Sequence, residues 1–220
     1  LNHLYLEVAL YADQTPADKM RLVLADRTLR PAIIAQLDEL TGVLEKHMLH
    51  NDAWHFWQLG VYAERSLMTI LTLKQILAPE VGGMSGIGTN LDLLLQMLAG
   101  QYAYRSLYHA RPVAARVARL LLQDRVFPRS ALYCLEGMKR ALIATFGESP
   151  AKDADTPLKH CNRVIGELNF IDMAAYFPRA EEMGSGIVGD DDLSATPAME
   201  FSQKLTELTG LLRDFNVLIS

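Results

Sequence analysis

The chain has 220 residues and a formal net charge of -5; 50% of its residues are hydrophobic and 21% are charged. This length and composition allow a real core without disulfides or metal, and the acidic balance argues against a general nucleic-acid binder, which needs a basic face. The only cysteines, Cys134 and Cys161, form no CxxC motif and have no His at ligand spacing, so we predict no disulfide framework, metal site or cofactor.

Apolar runs stay below the roughly 20 residues that span a bilayer, and no signal peptide is recognisable. We therefore expect a cytoplasmic protein that binds neither a membrane nor nucleic acid. The chain begins at Leu1, not Met, in a helix-like stretch, which suggests a start that is trimmed or incomplete.

Helical periodicity dominates the first half of the chain. Residues 31–49 carry an apolar stripe with steps of three and four, which predicts a helix. Residues 51–77 predict one long helix that Asn51 or Asp52 caps and that ends before Pro79. After a Gly-rich loop, a helix over 90–109 has a stripe that turns polar in its second half: Leu91, Leu95, Leu98, Tyr102, Arg105 and His109.

The second half continues with helices over 113–123, from Pro128 to the residue before Gly147, and from Pro157 onward. A final helix follows Pro197. Its apolar residues step by four and three, which is close to a heptad seam and suits packing along another helix or self-association through 201–219. The seam comprises Phe201, Leu205, Leu208, Leu212, Phe215 and Ile219.

No alternating strand pattern survives, so the sequence predicts an all-α bundle of about seven helices in one domain over 1–220. Residues 178–197 are polar and Gly-rich, which predicts a flexible loop. Its three consecutive Asp residues, 190–192, lack the spacing of a calcium-binding loop.

The helix over 51–77 is the hub of the predicted bundle and carries the residues most suggestive of chemistry. Gly60 in its interior costs about 1 kcal/mol relative to Ala and suggests that a neighbour needs room. Glu64 follows one turn later, and we expect it to point inward. Two interpretations stay open: a buried ion pair with Arg65, Arg105 or Arg129, and a general acid/base in a polar pocket.

Other polar and aromatic residues are candidates for binding. Trp54 and His55 lie in the first turn of the same helix, where a helix N-terminus favours a neutral imidazole. The Tyr-Arg cluster of residues 102–109 predicts either a binding surface or ordinary hydrogen bonds between helices. Arg129 and Ser130 are predicted in the first turn of a helix, where free N–H groups could hold an anion. The members of the cluster are Tyr102, Tyr104, Arg105, Tyr108 and His109.

Three segments in order resemble the bacterial alpha-E family of uncharacterised helical proteins: NDAWHFWQLGVYAERS, QYAYRSLY and LLLQDRVFPRSALYCL. The family typically reads DEGWHFLRLGRYLERA, SAYEAYRRLY and LLLDPEFPRSVRFCL. The likeness is good over residues 1–147 and looser beyond. By motif position, the family's signature residues fall on Trp54, His55, Gly60, Tyr62, Glu64, Arg65, Tyr104, Arg105, Phe127, Pro128, Arg129 and Ser130.

Two departures from the family pattern matter. The family pattern has an earlier copy of the tyrosine-glutamate-arginine helix, which would lie upstream of Leu1, so we expect the family's amino-terminal part to be missing. The Arg that usually follows the helix glycine is Val61 here, which weakens a strictly catalytic interpretation of that turn.

The resemblance implies association with circularly permuted ATP-grasp ligases and transglutaminase-like proteins in peptide synthesis or modification. Three hypotheses follow. The first is a helical partner that docks the ligase or holds its peptide or amino-acid product. The second is an enzyme acting on an amide or peptide bond, with Glu64 as acid/base and Arg residues binding a carboxylate. The third is a small-molecule or peptide sensor that uses the Tyr-Arg cluster.

Overall fold

The computed structural model describes residues 29–77, 87–147, 156–177 and 197–219, and these are helical with short connections and no strand, which confirms the all-α prediction. The predicted flexible loop over 178–197 lies outside the described residues except for Pro197. The helices are α1 (Leu29–His47), α2 (Asp52–Leu77), α3 (Ile87–Met97), α4 (Gln101–Tyr108), α5 (Ala114–Gln123), α6 (Ala131–Phe146), α7 (Pro157–Phe170), α8 (Met173–Tyr176) and α9 (Pro197–Ile219).

The chain groups into two compact units, residues 1–51 and residues 52–220, and the single domain over 1–220 stays a prediction. Within the first unit, α1 forms where the sequence predicts it. Its apolar side chains are largely exposed, Leu37 and Leu40 among them, while Leu44 and Met48 are half-buried. None of the described helices combines the length and the apolar character that crossing a membrane requires.

In the second unit, α2 is the hub, as predicted. It packs most extensively against α6 and also against α9, α3 and α5. Its buried side chains step by four and three along one side, so this side faces the core throughout the helix. The residues in this series are Leu59, Ala63, Ser66, Ile70 and Leu73, and Gln58 and Thr69 are buried beside them.

The helix predicted over 90–109 is wrong as a single element, because the chain turns after α3. Ala99 adopts a left-handed conformation with φ of 51°, and the Gly100 N–H bonds to Leu95 O at 2.7 Å. This turn ends α3 and starts α4 at a new angle. It also leaves Tyr102, predicted within the stripe, 85% exposed.

The start of α6 also differs from the prediction. Pro128 lies in a turn, and the helix begins at Ala131 with Ser130 as its N-cap. The Asp124 carboxylate organises the connection, because its Oδ1 accepts hydrogen bonds from the N–H groups of Val126 and Phe127 at 2.8 and 2.7 Å. Because this side chain satisfies two backbone donors, it competes with helix formation, and the helix starts three residues later in the chain than predicted.

The apolar seam of α9 is real, but the prediction of self-association through it is wrong for residues 201–215. The side chains of Phe201, Leu208 and Phe215 are buried, with at most 1% of their surface exposed. The helix packs these residues against α2, α7 and α8 of the same chain. A second copy therefore finds no free apolar stripe along this part of the helix.

Candidate functional site

The side of α2 opposite the core presents four residues at steps of four to solvent. Phe56 and Met68 are 47% and 46% exposed, and Gly60 and Glu64 between them are exposed as well. We call these four residues the Glu64 face. No atom lies within 4 Å of a Cβ built on Gly60, so the predicted neighbour is absent there among the described residues.

The prediction that Glu64 points inward is therefore wrong. The core takes the side that contains Leu59 and Ala63, and helical geometry turns Glu64 away from it. In the described part of the chain, no hydrogen bond or ion pair joins Glu64 to Arg65, Arg105 or Arg129. The Glu-Arg pair is thus divided: Glu64 is in solvent, and Arg65 is half-buried.

Arg65 belongs to a junction between α2 and the start of α6. Its charge and that of Arg129 act on the Cys134 thiol, whose pKa burial raises and these two cations lower. Thr69 fixes the same junction by donating a hydrogen bond from Oγ1 to Arg129 O at 2.9 Å. Two residues that the sequence singles out separately, Arg65 and Arg129, therefore meet at this junction.

Ser130 does not form the predicted anion site. It is fully buried, as are Ala131 and Leu132 beside it, so the amino-terminal end of α6 is covered. The Ser130 N–H donates to Phe127 O at 2.9 Å, and its hydroxyl has no hydrogen-bond partner among the described residues. Arg129 is exposed, but its backbone carbonyl is taken by Thr69.

Tyr62 is a packing residue in the contact between α2 and α6. A Cβ built on Gly137 would lie 2.6 to 2.8 Å from the Tyr62 ring, so the ring occupies the space that the missing side chain leaves. The edge of Tyr133 completes the contact at a centroid distance of 6.3 Å. Burial raises the pKa of the Tyr62 phenol, although the nearby Arg140 lowers it.

Trp54 and His55 lie in the first turn of α2, where both are half-buried and their rings meet edge to face at 5.2 Å. This arrangement is structural in character. It does not bring His55 to Glu64 within hydrogen-bond distance.

Three members of the Tyr-Arg cluster, Tyr104, Arg105 and His109, line an open cleft of about 910 Å³. The Tyr104 ring is buried, and its hydroxyl donates to Arg111 O at 3.0 Å and accepts from the Val113 N–H at 3.1 Å. Tyr104 thus serves the predicted structural role and also holds the turn that closes the cleft. The lining residues are Asp92, Leu95, Gln101, Tyr104, Arg105, His109, Ala110, Arg111 and Pro112.

Tyr108 stands beside this cleft rather than in its lining. Its ring lies 4.8 Å from that of Tyr104, and the Arg116 guanidinium is 5.6 Å from its centroid. Burial raises the pKa of the Tyr108 phenol, against the lowering effect of Arg119. Tyr108 therefore connects α4 to the basic side of α5.

Sequence reasoning missed Asp92, Gln101 and Arg111 as cleft residues, because the predicted continuous helix over 90–109 gave no cleft. One signal was available. Residues 101–129 contain six Arg, no Lys, no Glu and a single Asp, a formal charge of +5 in a chain whose total is -5. Such a local excess of positive charge marks a surface suited to anions.

Among the described residues, His, Cys, Asp and Glu side chains form no group of three that could hold a metal ion.

The two thiols are expected to be inert in the native protein. Both are fully buried; Cys134 Sγ donates to Pro128 O and Cys161 Sγ to Leu135 O, at 3.5 and 3.4 Å. Burial raises the pKa of each to about 12 from an ordinary value of 9.0, and the thiolate is the reactive form. Ellman's reagent at pH 8 should modify neither until urea unfolds the chain.

The same thiols make stability depend on alkaline pH. They ionise in the unfolded chain near 9.0 and in the folded chain only at about 12. The free energy of unfolding should therefore decrease as the pH rises from about 9 to about 12, and the contribution of the thiols should be constant below pH 9.

The thiol-modification experiment has a contrary outcome too: rapid modification of either thiol in the native protein would contradict the buried geometry.

The fold and site define an all-helical protein whose central helix carries the one Glu-Arg dipeptide of the sequence. Glu64 of this dipeptide is exposed to solvent, and Arg65 lies in the junction between α2 and α6. A family model described as a predicted alpha-helical domain with a conserved ER motif matches residues 1–219. The chain belongs to this family, Alpha-E, as its motifs suggest. The match runs from residue 1, so the expectation that the family's amino-terminal part is missing is not borne out. No curated protein and no solved structure proved significantly similar.

Proposed function

We propose that the chain is a helical partner in a bacterial, cytoplasmic system of peptide synthesis or modification, and that it docks an ATP-grasp-type ligase or a transglutaminase-like protein. The proposal combines the association that the family resemblance implies with one structural observation. That observation is the exposed Glu64 face on the helix around which the core is built.

The physical properties of the Glu64 face suit a docking contact. The α2 backbone is held by four neighbouring helices, so binding at the face does not require the backbone to become ordered. Gly60 leaves open space where a partner's backbone or ring can approach closely. Phe56 and Met68 flank it with apolar surface, and Glu64 supplies a charge that a basic residue of the partner can pair with.

The competing hypothesis is an enzyme that acts on an amide or peptide bond with Glu64 as acid/base. Such a residue acts from a site that holds the substrate within hydrogen-bond reach of its carboxylate. Glu64 is exposed, and no Asp, Glu, His or Arg among the described residues forms a hydrogen bond or ion pair with it. This environment favours docking over catalysis.

A charge reversal on the face tests docking. Glu64→Arg should weaken binding to an ATP-grasp-type ligase, the proposed partner, by about tenfold or more, because a paired charge at an interface becomes a repulsive one. Isothermal titration calorimetry measures the change. Asp214→Arg, a reversal at another exposed carboxylate, on α9, serves as the matched control and should leave the affinity unchanged.

A second variant probes the shape of the face. Gly60→Leu fills open space, so it should not lower the melting temperature, while it blocks the approach of the partner. The proposal fails if the unmodified protein forms no complex at micromolar concentration, or if neither variant changes the affinity. Loss of a turnover by Glu64→Gln in a folded protein would instead support the enzyme.

A further inference from the structure

The open cleft between α3, α4 and the turn over 109–112 carries a ligand-binding inference separate from the Glu64 face. We infer that it binds a short zwitterionic peptide, with the peptide's carboxylate at Arg105 and Arg111 and its ammonium group at Asp92. The charges of the cleft by themselves predict a zwitterionic ligand. That this zwitterion is a peptide rests on the proposed function. The cleft itself and its charges are features of the described residues.

The cleft carries positive charge that no acidic side chain of the described residues neutralises. Arg105 and Arg111 are both exposed, and neither forms an ion pair with an acidic side chain in the described ranges. Arg125, by contrast, is paired with Glu136 at 2.8 Å. Guanidinium groups bind carboxylates through two parallel hydrogen bonds, and two of them on one cleft make a carboxylate the matching ligand group.

The remaining lining decides between a bare anion and a peptide. Asp92 is exposed on α3 and would repel an anion that filled the whole cleft, whereas it can pair with an ammonium group. The Gln101 amide offers both a donor and an acceptor, as a peptide bond requires. Pro112, which is half-buried, adds apolar surface for a small side chain, and the buried Leu95 lies behind it.

The turn that carries Arg111 is held in place before any ligand arrives. Tyr104 bonds to the backbone on both sides of Pro112, and His109 caps α4 in a left-handed conformation with its N–H on Arg105 O at 3.0 Å. A preformed site avoids the entropic cost of ordering a loop on binding. The cleft volume of about 910 Å³ is within the usual range for small-ligand sites and has room for a peptide of a few residues.

Titration with blocked dipeptides tests the inference on the unaltered protein, with backbone amide shifts of residues 101–112 followed by NMR. Alanyl-alanine should shift these signals in a saturable way. N-acetyl-alanyl-alanine lacks the ammonium group and alanyl-alaninamide lacks the carboxylate, so each should bind about tenfold more weakly or worse. Inorganic phosphate, which has charge but no peptide, should bind more weakly than alanyl-alanine.

Variants assign the two ends of the peptide. Arg105→Gln combined with Arg111→Gln should remove the discrimination against alanyl-alaninamide, and Asp92→Asn should remove that against the acetylated peptide. Arg213→Gln, on exposed α9 surface, should change neither. The inference is overturned if millimolar alanyl-alanine shifts no signal, if phosphate binds equally well, or if blocking either end leaves the affinity unchanged.

These results are independent of the docking experiment. The variants of Arg105, Arg111 and Asp92 should keep the affinity for the ligase, and Glu64→Arg should keep the affinity for alanyl-alanine. Peptide binding without a ligase complex would end the proposed docking and leave the cleft inference intact. A ligase complex without peptide binding would do the reverse.

Discussion

Phe215→Ala is expected to lower the free energy of unfolding by about 3–5 kcal/mol, the usual cost of removing a buried phenyl ring and leaving a cavity. Phe215 is 1% exposed on α9. Its ring stacks on that of His160 at 6.3 Å, and His160 is held by Nε2 against Leu211 O at 2.6 Å. Because these contacts fix the ring neighbours in place, the cavity cannot collapse easily. Urea unfolding monitored by circular dichroism measures the loss.

The same variant decides what the seam of α9 is for. Size-exclusion chromatography should give one oligomeric state for the unmodified chain and for Phe215→Ala, because the ring packs within its own chain. Met199→Ala on the same helix is the control; Met199 is 55% exposed, so its loss should change stability by less than about 0.5 kcal/mol. Dissociation of a dimer by Phe215→Ala, with stability unchanged, would restore the self-association hypothesis.

Gly137→Ala is expected to destabilise the protein by about 1–3 kcal/mol through overpacking. The added Cβ would lie 2.6 Å from the nearest atom of the Tyr62 ring, which is closer than such carbons approach in folded proteins. The ring is confined by Tyr133 on α6 and cannot move aside freely. Differential scanning calorimetry should show the lower melting temperature.

Gly60→Ala is the matched control, since it makes the same substitution in a helix interior with nothing within 4 Å. It should raise the free energy of unfolding by up to about 1 kcal/mol, because Ala has a higher helix propensity than Gly and lowers the conformational entropy of the unfolded chain. Combining Gly137→Ala with Tyr62→Leu should cost less than the two single changes together. Additive losses would show that Gly137 does not accommodate the ring.

Local sequence signals account for most of the helix positions. The helix starts at Asp52, at Pro157 and at Pro197 are where the sequence predicts them, and the Thr156 side chain caps the second by accepting from the Lys159 N–H. These signals depend on neighbours in the chain alone. The break at Ala99 has no such marker beyond Gly100, and the delayed start of α6 depends on the Asp124 side chain. Both were missed.

The candidate site was predictable only in its residue types. The Glu-Arg dipeptide, the Tyr-Arg cluster and the excess of arginine over 101–129 are visible in the sequence. Their surroundings are not. Asp92 and Arg111 line one cleft because the turn at Ala99 redirects the chain, and no periodicity spans that turn.

By itself the sequence determined that this protein is all-α, that the helix over Asp52–Leu77 is its hub, and that it carries the Alpha-E motifs. Only the tertiary structure decided which side of that helix is buried. Apolar residues occur on both sides, so the helical period allows either one to face inward. Packing against α6 and α9 chose the side of Leu59 and Ile70, and that choice put Glu64 in solvent.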